Sequence, residues 1–191
     1  MNGPDRPARP GPARHGEDGE LTVFVADEQD ARPVDVARWE ALARNALRHE
    51  GVTGEAELSL LFVDEATIAE LNRTFMGKAG PTDVLAFPID AEDLHQIGRV
   101  PDGGTTGPSR GPDDEDDPDE LPILLGDVVI CPAVADRNAP GHAGTYDDEI
   151  ALLIVHGILH VLGHDHAEPE ETRLMQARER ELLARYHRGA A

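Results

Sequence analysis

An α/β layered domain is the fold class this sequence predicts, and three observations predict it. Short runs of strand character at residues 21–25, 58–63 and 123–130 are separated by helical segments, the arrangement that packs helices on a sheet. The stretch 149–162 is apolar almost all round, so it reads as a helix buried at the centre of the core. With 191 residues the chain can bury about two-thirds of its surface, enough for one domain with a real core. Its single cysteine, Cys131, excludes a disulfide framework and a multi-cysteine zinc site.

Residues 1–20 are rich in Pro, Gly and Arg, show no apolar periodicity, and read as a disordered tail. A single domain is expected over 21–188. Leu21-Thr22-Val23-Phe24-Val25 has the β-branched and aromatic content of a first strand. Beyond Pro33, Val36, Trp39, Ala43, Ala46 and Leu47 fall at helical spacing, and Gly51 closes that helix. A second strand follows over 58–63, and Asp64 is placed to cap a helix carrying Ile68 and Leu71. Pro81-Thr82-Asp83-Val84-Leu85-Ala86-Phe87-Pro88 is an apolar run between prolines, which suits an edge strand. Residues from about 91 to 120 carry Gly-Gly, Gly-Pro and an acidic run, and read as a mobile surface insertion. A strand interrupted by Gly126 comes next, then the buried helix, which Gly163 can end in a left-handed cap. Pro169 opens a last helix, on which Met175, Leu182, Leu183 and Tyr186 share a face.

Charge narrows the function. Lys and Arg number 17 against 38 Asp and Glu, a net charge of −21, and Lys78 is the only lysine. A field of that sign repels nucleic acid and anionic membranes at long range, so an anionic substrate needs a local cationic site. No apolar run approaches the ~18 residues of a membrane span, and no signal-peptide core is seen; a cytoplasmic protein without membrane partners is expected.

The chemistry concentrates in His156-Gly157-Ile158-Leu159-His160-Val161-Leu162-Gly163-His164-Asp165-His166. His156 and His160 lie one turn apart on one helix face, and a turn at Gly163 can bring His166 to the same point. Three imidazoles leave the fourth position of a tetrahedral metal to water, the open arrangement of a catalytic site. Zinc suits these ligands, and nickel, copper or cobalt fit them as well. A single core histidine would need only a hydrogen-bond partner; the pair, the glycine and the third histidine together favour a metal. The spacing also matches the His-Glu-x-x-His helix of metzincin proteases, but Gly157 stands where their glutamate base would be. Glu149, two turns before His156, is a candidate base, or else complements the helix dipole. Asp165 either orients a histidine ligand or caps the turn. Cys131 reads as a small buried side chain, and His164 is not counted among the ligands.

The histidine stretch resembles the His-Gly-x-Leu-His-Leu-x-Gly-x-Asp-His signature of the YbeY endoribonucleases. Two further segments agree with that family in order: the run from Pro81 to Pro88, and Leu125-Gly126-Asp127-Val128-Val129-Ile130-Cys131-Pro132. The resemblance covers roughly residues 55–185. It implies a compact α/β domain with a small mixed sheet, a metal site whose ligands are His156, His160 and His166, and cleavage of single-stranded RNA. It also implies a role in maturation and quality control of small-subunit ribosomal RNA, with the small subunit or its assembly factors as partners and no DNA substrate. Two positions depart from the pattern. Met76 stands where many members carry arginine, and Ala86 where serine is usual. Arg73, one turn before Met76, is the candidate phosphate partner in its stead, with Lys78 nearby. Two other readings stay open: a metal-dependent hydrolase of another substrate, and a non-catalytic, metal-stabilised adaptor of ribosome assembly. An open coordination position favours an enzyme, and a closed one the adaptor.

Overall fold

Period-two burial builds the sheet. In the computed structural model, which describes residues 20–89, 122–164 and 168–189, strand β1 spans Leu21–Asp27 and β2 spans Ala56–Phe62. Along β2 every second side chain (Ala56, Leu58, Leu60, Phe62) is buried in the main core. β3 (Val84–Pro88) and β4 (Ile123–Ile130) complete a four-stranded mixed sheet of order β1-β2-β4-β3. β1, β2 and β4 are parallel, while β3 runs antiparallel on β4 and forms the edge that its flanking prolines predict. The tail expected over 1–20, save Glu20, and the insertion expected over about 91–120 lie outside the described residues.

Gly126 does more than interrupt β4. The register against β2 slips between Glu57 and Leu58, which pair with Leu124 and Gly126 and leave Leu125 as the extra residue of a bulge. The slip inverts the facing of the strand. Ile123 and Leu125 point into the main core before it, Val128 and Ile130 after it, so odd positions give way to even ones. Gly126 itself has φ 141°, and a Cβ there would sit 2.2 Å from the carbonyl oxygen of Phe87. Only glycine allows β3 to approach that closely.

Helices cover both faces. α1 (Val36–His49) buries Trp39, Leu42, Ala43, Ala46 and Leu47, and the chain leaves it through Gly51 at φ 84°. α2 (Glu65–Met76) starts where Asp64 accepts a hydrogen bond from the Thr67 N–H at 2.7 Å. A short helix, α3 (Pro132–Asn138), was not evident in the sequence; it follows β4 directly, with Pro132 in its first turn. A 3₁₀ turn, Ala139–Gly141, leads to α4 (Tyr146–Val161), the buried helix, whose N-cap is Thr145. It begins three residues earlier than the apolar run suggested, because its first turn is acidic rather than apolar. α5 (Pro169–Tyr186) carries a capping box between Glu168 and Glu171. α1, α4 and α5 bury their apolar faces in the main core, and α2 and α3 pack Ile68 and Val134 on Leu85 and Val129 in a second cluster.

Candidate metal centre

Helix α4 sets the geometry of the site. Gly157 faces the sheet so tightly that a Cβ would lie 2.5 Å from Cγ1 of Val128. Its absence lets α4 lie against β4 and turns the neighbouring His156 and, one turn on, His160 toward the half-open flank. A Cβ at position 157, where metzincin proteases carry their glutamate, would point into the sheet.

The two imidazoles meet. Nε2 of His156 and Nε2 of His160 are 3.1 Å apart, with the rings at 81° and their centroids 4.6 Å apart. Two nitrogens on one tetrahedral zinc, each bonded at about 2.0–2.1 Å, lie roughly 3.3–3.4 Å apart, so this pair fits a shared ion closely. The second nitrogen of His156 is also accounted for. Its Nδ1 lies 2.8 Å from Oε1 of Glu179, an acceptor, so the tautomer that satisfies this contact carries the lone pair on Nε2. A carboxylate behind a histidine is the arrangement that fixes the tautomer of a metal ligand and raises its basicity. His166 and Asp165 lie outside the described residues, and among the described residues no set of three or more His, Cys, Asp or Glu gathers as a metal site.

Glu179 escaped the sequence reading. A signal existed: it lies four residues after Met175 and four before Leu183, an acid within the apolar stripe of α5. Its side chain is only 12% exposed.

Beside the histidines is a cleft of about 360 Å³, lined by Asp83, Val84, His142, His156, Thr172 and Glu179 among others. Asp83 stands at the start of β3. The peptide N–H of Cys131 donates to its carbonyl at 2.8 Å, and Asn138 Nδ2 of α3 donates to its carboxylate at 3.0 Å. Cys131 is wholly buried and burial pushes its thiol up, which matches a packed side chain rather than a ligand. Gly163 has φ 87° and ends α4 with the Gly163 N–H on the His160 carbonyl at 2.9 Å, the left-handed cap expected there.

The other candidates sit apart from the histidine pair or behind the cleft wall. Glu149 is fully buried on α4; its oxygens lie 2.9 and 3.0 Å from Nδ1 of His142, and the Ala143 N–H donates to one of them at 3.1 Å. His142, which the sequence reading passed over, therefore lines the cleft with a carboxylate behind it. Arg73 is exposed on α2, pairs with Glu70, and is not among the cleft-lining residues. Within α2, Asn72 is buried and its Nδ2 donates to the Gly80 carbonyl at 2.9 Å, which braces the exposed turn bearing Lys78.

Comparison with known proteins places relatives around this geometry. The family model described as Endoribonuclease YbeY matches residues 24–187. A protein named Endoribonuclease YbeY from Salinispora tropica is 45% identical over 164 residues, covering 86% of this chain and 95% of its own. The proteins of that name from Acidothermus cellulolyticus and Thermobifida fusca are 46% and 42% identical, covering 85% and 88% of this chain and 90% and 96% of theirs. A solution structure of a Thermotoga maritima protein superimposes with a TM-score of 0.51 at 21% identity, covering 88% of this chain and 94% of the other, a likeness of fold.

Proposed function

This chain belongs to the YbeY endoribonuclease family, and from that premise we propose that it is a zinc-dependent endoribonuclease that cuts single-stranded RNA during maturation and quality control of small-subunit ribosomal RNA. The observation that carries the metal dependence is the convergence of the His156 and His160 Nε2 atoms, with Glu179 holding the His156 tautomer. His166 supplies the third ligand in this reading, and Asp165 orients it. A zinc ion held there would supply Lewis acidity to the phosphoryl oxygen and would acidify an attacking water.

The chain's own residues do the rest. Glu179 keeps a lone pair on His156 Nε2 aimed at the site. Asn72 steadies the turn that presents Lys78 to a phosphate. Arg73 can exchange Glu70 for a phosphate at little cost, because an exposed ion pair contributes only about 0–1 kcal/mol. The net charge of −21 opposes capture of naked RNA at long range, so the small subunit or an assembly factor positions the substrate. Among the described residues no helix is long and apolar enough to cross a membrane; the reading places the enzyme in the cytoplasm.

The test is cleavage of a single-stranded ribosomal RNA fragment by wild type and His156→Ala. The proposal expects cleavage by wild type and its loss in a variant that keeps wild-type circular dichroism. Equal cleavage by both would contradict it.

A further inference from the structure

A buried carboxylate needs a reason. Glu149 is fully buried within the most apolar helix of the fold, and an ionised carboxylate there is costly unless it is hydrogen-bonded. Its two oxygens are spent on one side chain, His142, and on the Ala143 N–H beside it. His142 itself is 59% exposed and follows the 3₁₀ turn, its N–H bonded to the Ala139 carbonyl at 3.1 Å. With Nδ1 directed inward to Glu149, the ring turns Nε2 away from the core, on the wall of the cleft that also carries His156, Asp83 and Glu179.

We infer that His142 is a further catalytic residue of this cleft, giving a proton from Nε2 to the leaving oxygen of the phosphodiester, with Glu149 as the residue that positions it. The inference rests on the nuclease reading above. The arrangement is an imidazole held by a carboxylate at one nitrogen, with the other bonded to no described residue, the geometry general acid–base catalysis requires. In the step, a water or the neighbouring ribose 2′-hydroxyl forms a new bond to phosphorus and loses its proton to solvent. The bond from phosphorus to the leaving ribose oxygen breaks with its electron pair on that oxygen. Doubly protonated His142 transfers the Nε2 proton to it and is left neutral, still donating from Nδ1 to Glu149. Among the described residues, Asp83, Glu179 and His156 are the other titratable groups on the cleft wall. Asp83 is bonded to Asn138, and Glu179 and His156 are bonded to each other, which among the described residues favours His142 as the donor.

Replacing the leaving oxygen by sulfur separates this role from a structural one, because a thiolate departs without a proton. Wild type, His142→Ala, His142→Gln and Glu149→Gln are compared on oligoribonucleotides of one sequence. These carry either oxygen or a bridging sulfur at the scissile linkage, placed on the 5′ side in one set and the 3′ side in another. Both His142 variants should cleave the oxygen linkage about 10²–10⁴-fold more slowly than wild type, yet cleave the sulfur linkage within roughly tenfold of it. Glu149→Gln should show the same selective loss, smaller in size, and all variants should keep the wild-type metal content. Equal losses on both linkages would overturn the inference while leaving the nuclease reading intact. Loss of metal from His142→Ala would overturn it too, making His142 a ligand. A wild type that cleaves neither linkage removes the nuclease reading and this inference together.

Discussion

At the histidine pair, Glu179 is the side chain that the proposed metal reading leans on most. Its hydrogen bond to His156 Nδ1 fixes which nitrogen carries the lone pair. Glu179→Gln keeps the volume and loses the charge, and should weaken zinc binding by about 10–100-fold with little change in thermal stability. Competition titration with a chromophoric chelator measures this, and unchanged affinity would remove Glu179 from the metal's support. Gly157 is the second residue of consequence. Val128 is β-branched and cannot swing away, so Gly157→Ala should cost about 1–3 kcal/mol in urea unfolding. Much of that should return in the Gly157→Ala, Val128→Ala double variant, and additive losses would show that the contact is not the cause. At this scale the sequence was legible wherever spacing carried the information. His156 and His160 sit at i and i+4, and they do meet. His142 had no such signal, because it lies in a turn and is joined to Glu149 by chain geometry that no periodicity records.

Elements were legible through their apolar period and end signals. Asp64, Gly51, Gly163 and Pro169 mark the ends where the structure has them, since a side-chain acceptor, a left-handed residue or a fixed φ acts locally. Helix α3 was hidden for a physical reason. At seven residues it shows less than two full helical periods, and it follows β4 with only Cys131 between, so its alanines and valine read as continued strand. The bulge in β4 was visible only as Gly126; that it inverts the facing of the strand follows from pairing with β2, a nonlocal fact. This element carries its own prediction. Gly126→Ala would force a Cβ onto the Phe87 carbonyl and strain a φ of 141°, so it should cost about 2 kcal/mol or more. Hydrogen exchange should rise first in β3, and unchanged protection of β3 would contradict the close approach inferred there.

Across the whole molecule, the C-terminal end of α5 is tied to the first turn of α4, so the two helices that meet at the His156–Glu179 contact are also joined at a distance from it. Asp148 accepts hydrogen bonds from the Thr145 hydroxyl at 2.7 Å and from His187 Nε2 at 3.0 Å, and Arg188 lies 3.6 Å away. The Thr145 hydroxyl first, then His187 and Arg188, hold its carboxyl below the ordinary carboxylate value. A depressed folded pKa gives stability that is present above the unfolded value near 3.9 and is lost as pH falls through the folded one. Asp148→Asn should therefore be less stable than wild type at neutral pH, and the gap in melting temperature should close in acid; a constant gap would contradict the tie. The acidity of the chain as a whole was plain from composition, and it is why a local cationic site or a partner must meet the RNA. The central claim is that a metal held by His156 and His160 makes this fold a ribonuclease. It is tested most directly by stripping the protein with a chelator and adding zinc back in measured equivalents while following cleavage of a single-stranded ribosomal RNA fragment. Activity should vanish on stripping and return in proportion to zinc up to one equivalent per chain; cleavage that persists in the stripped protein would contradict the claim.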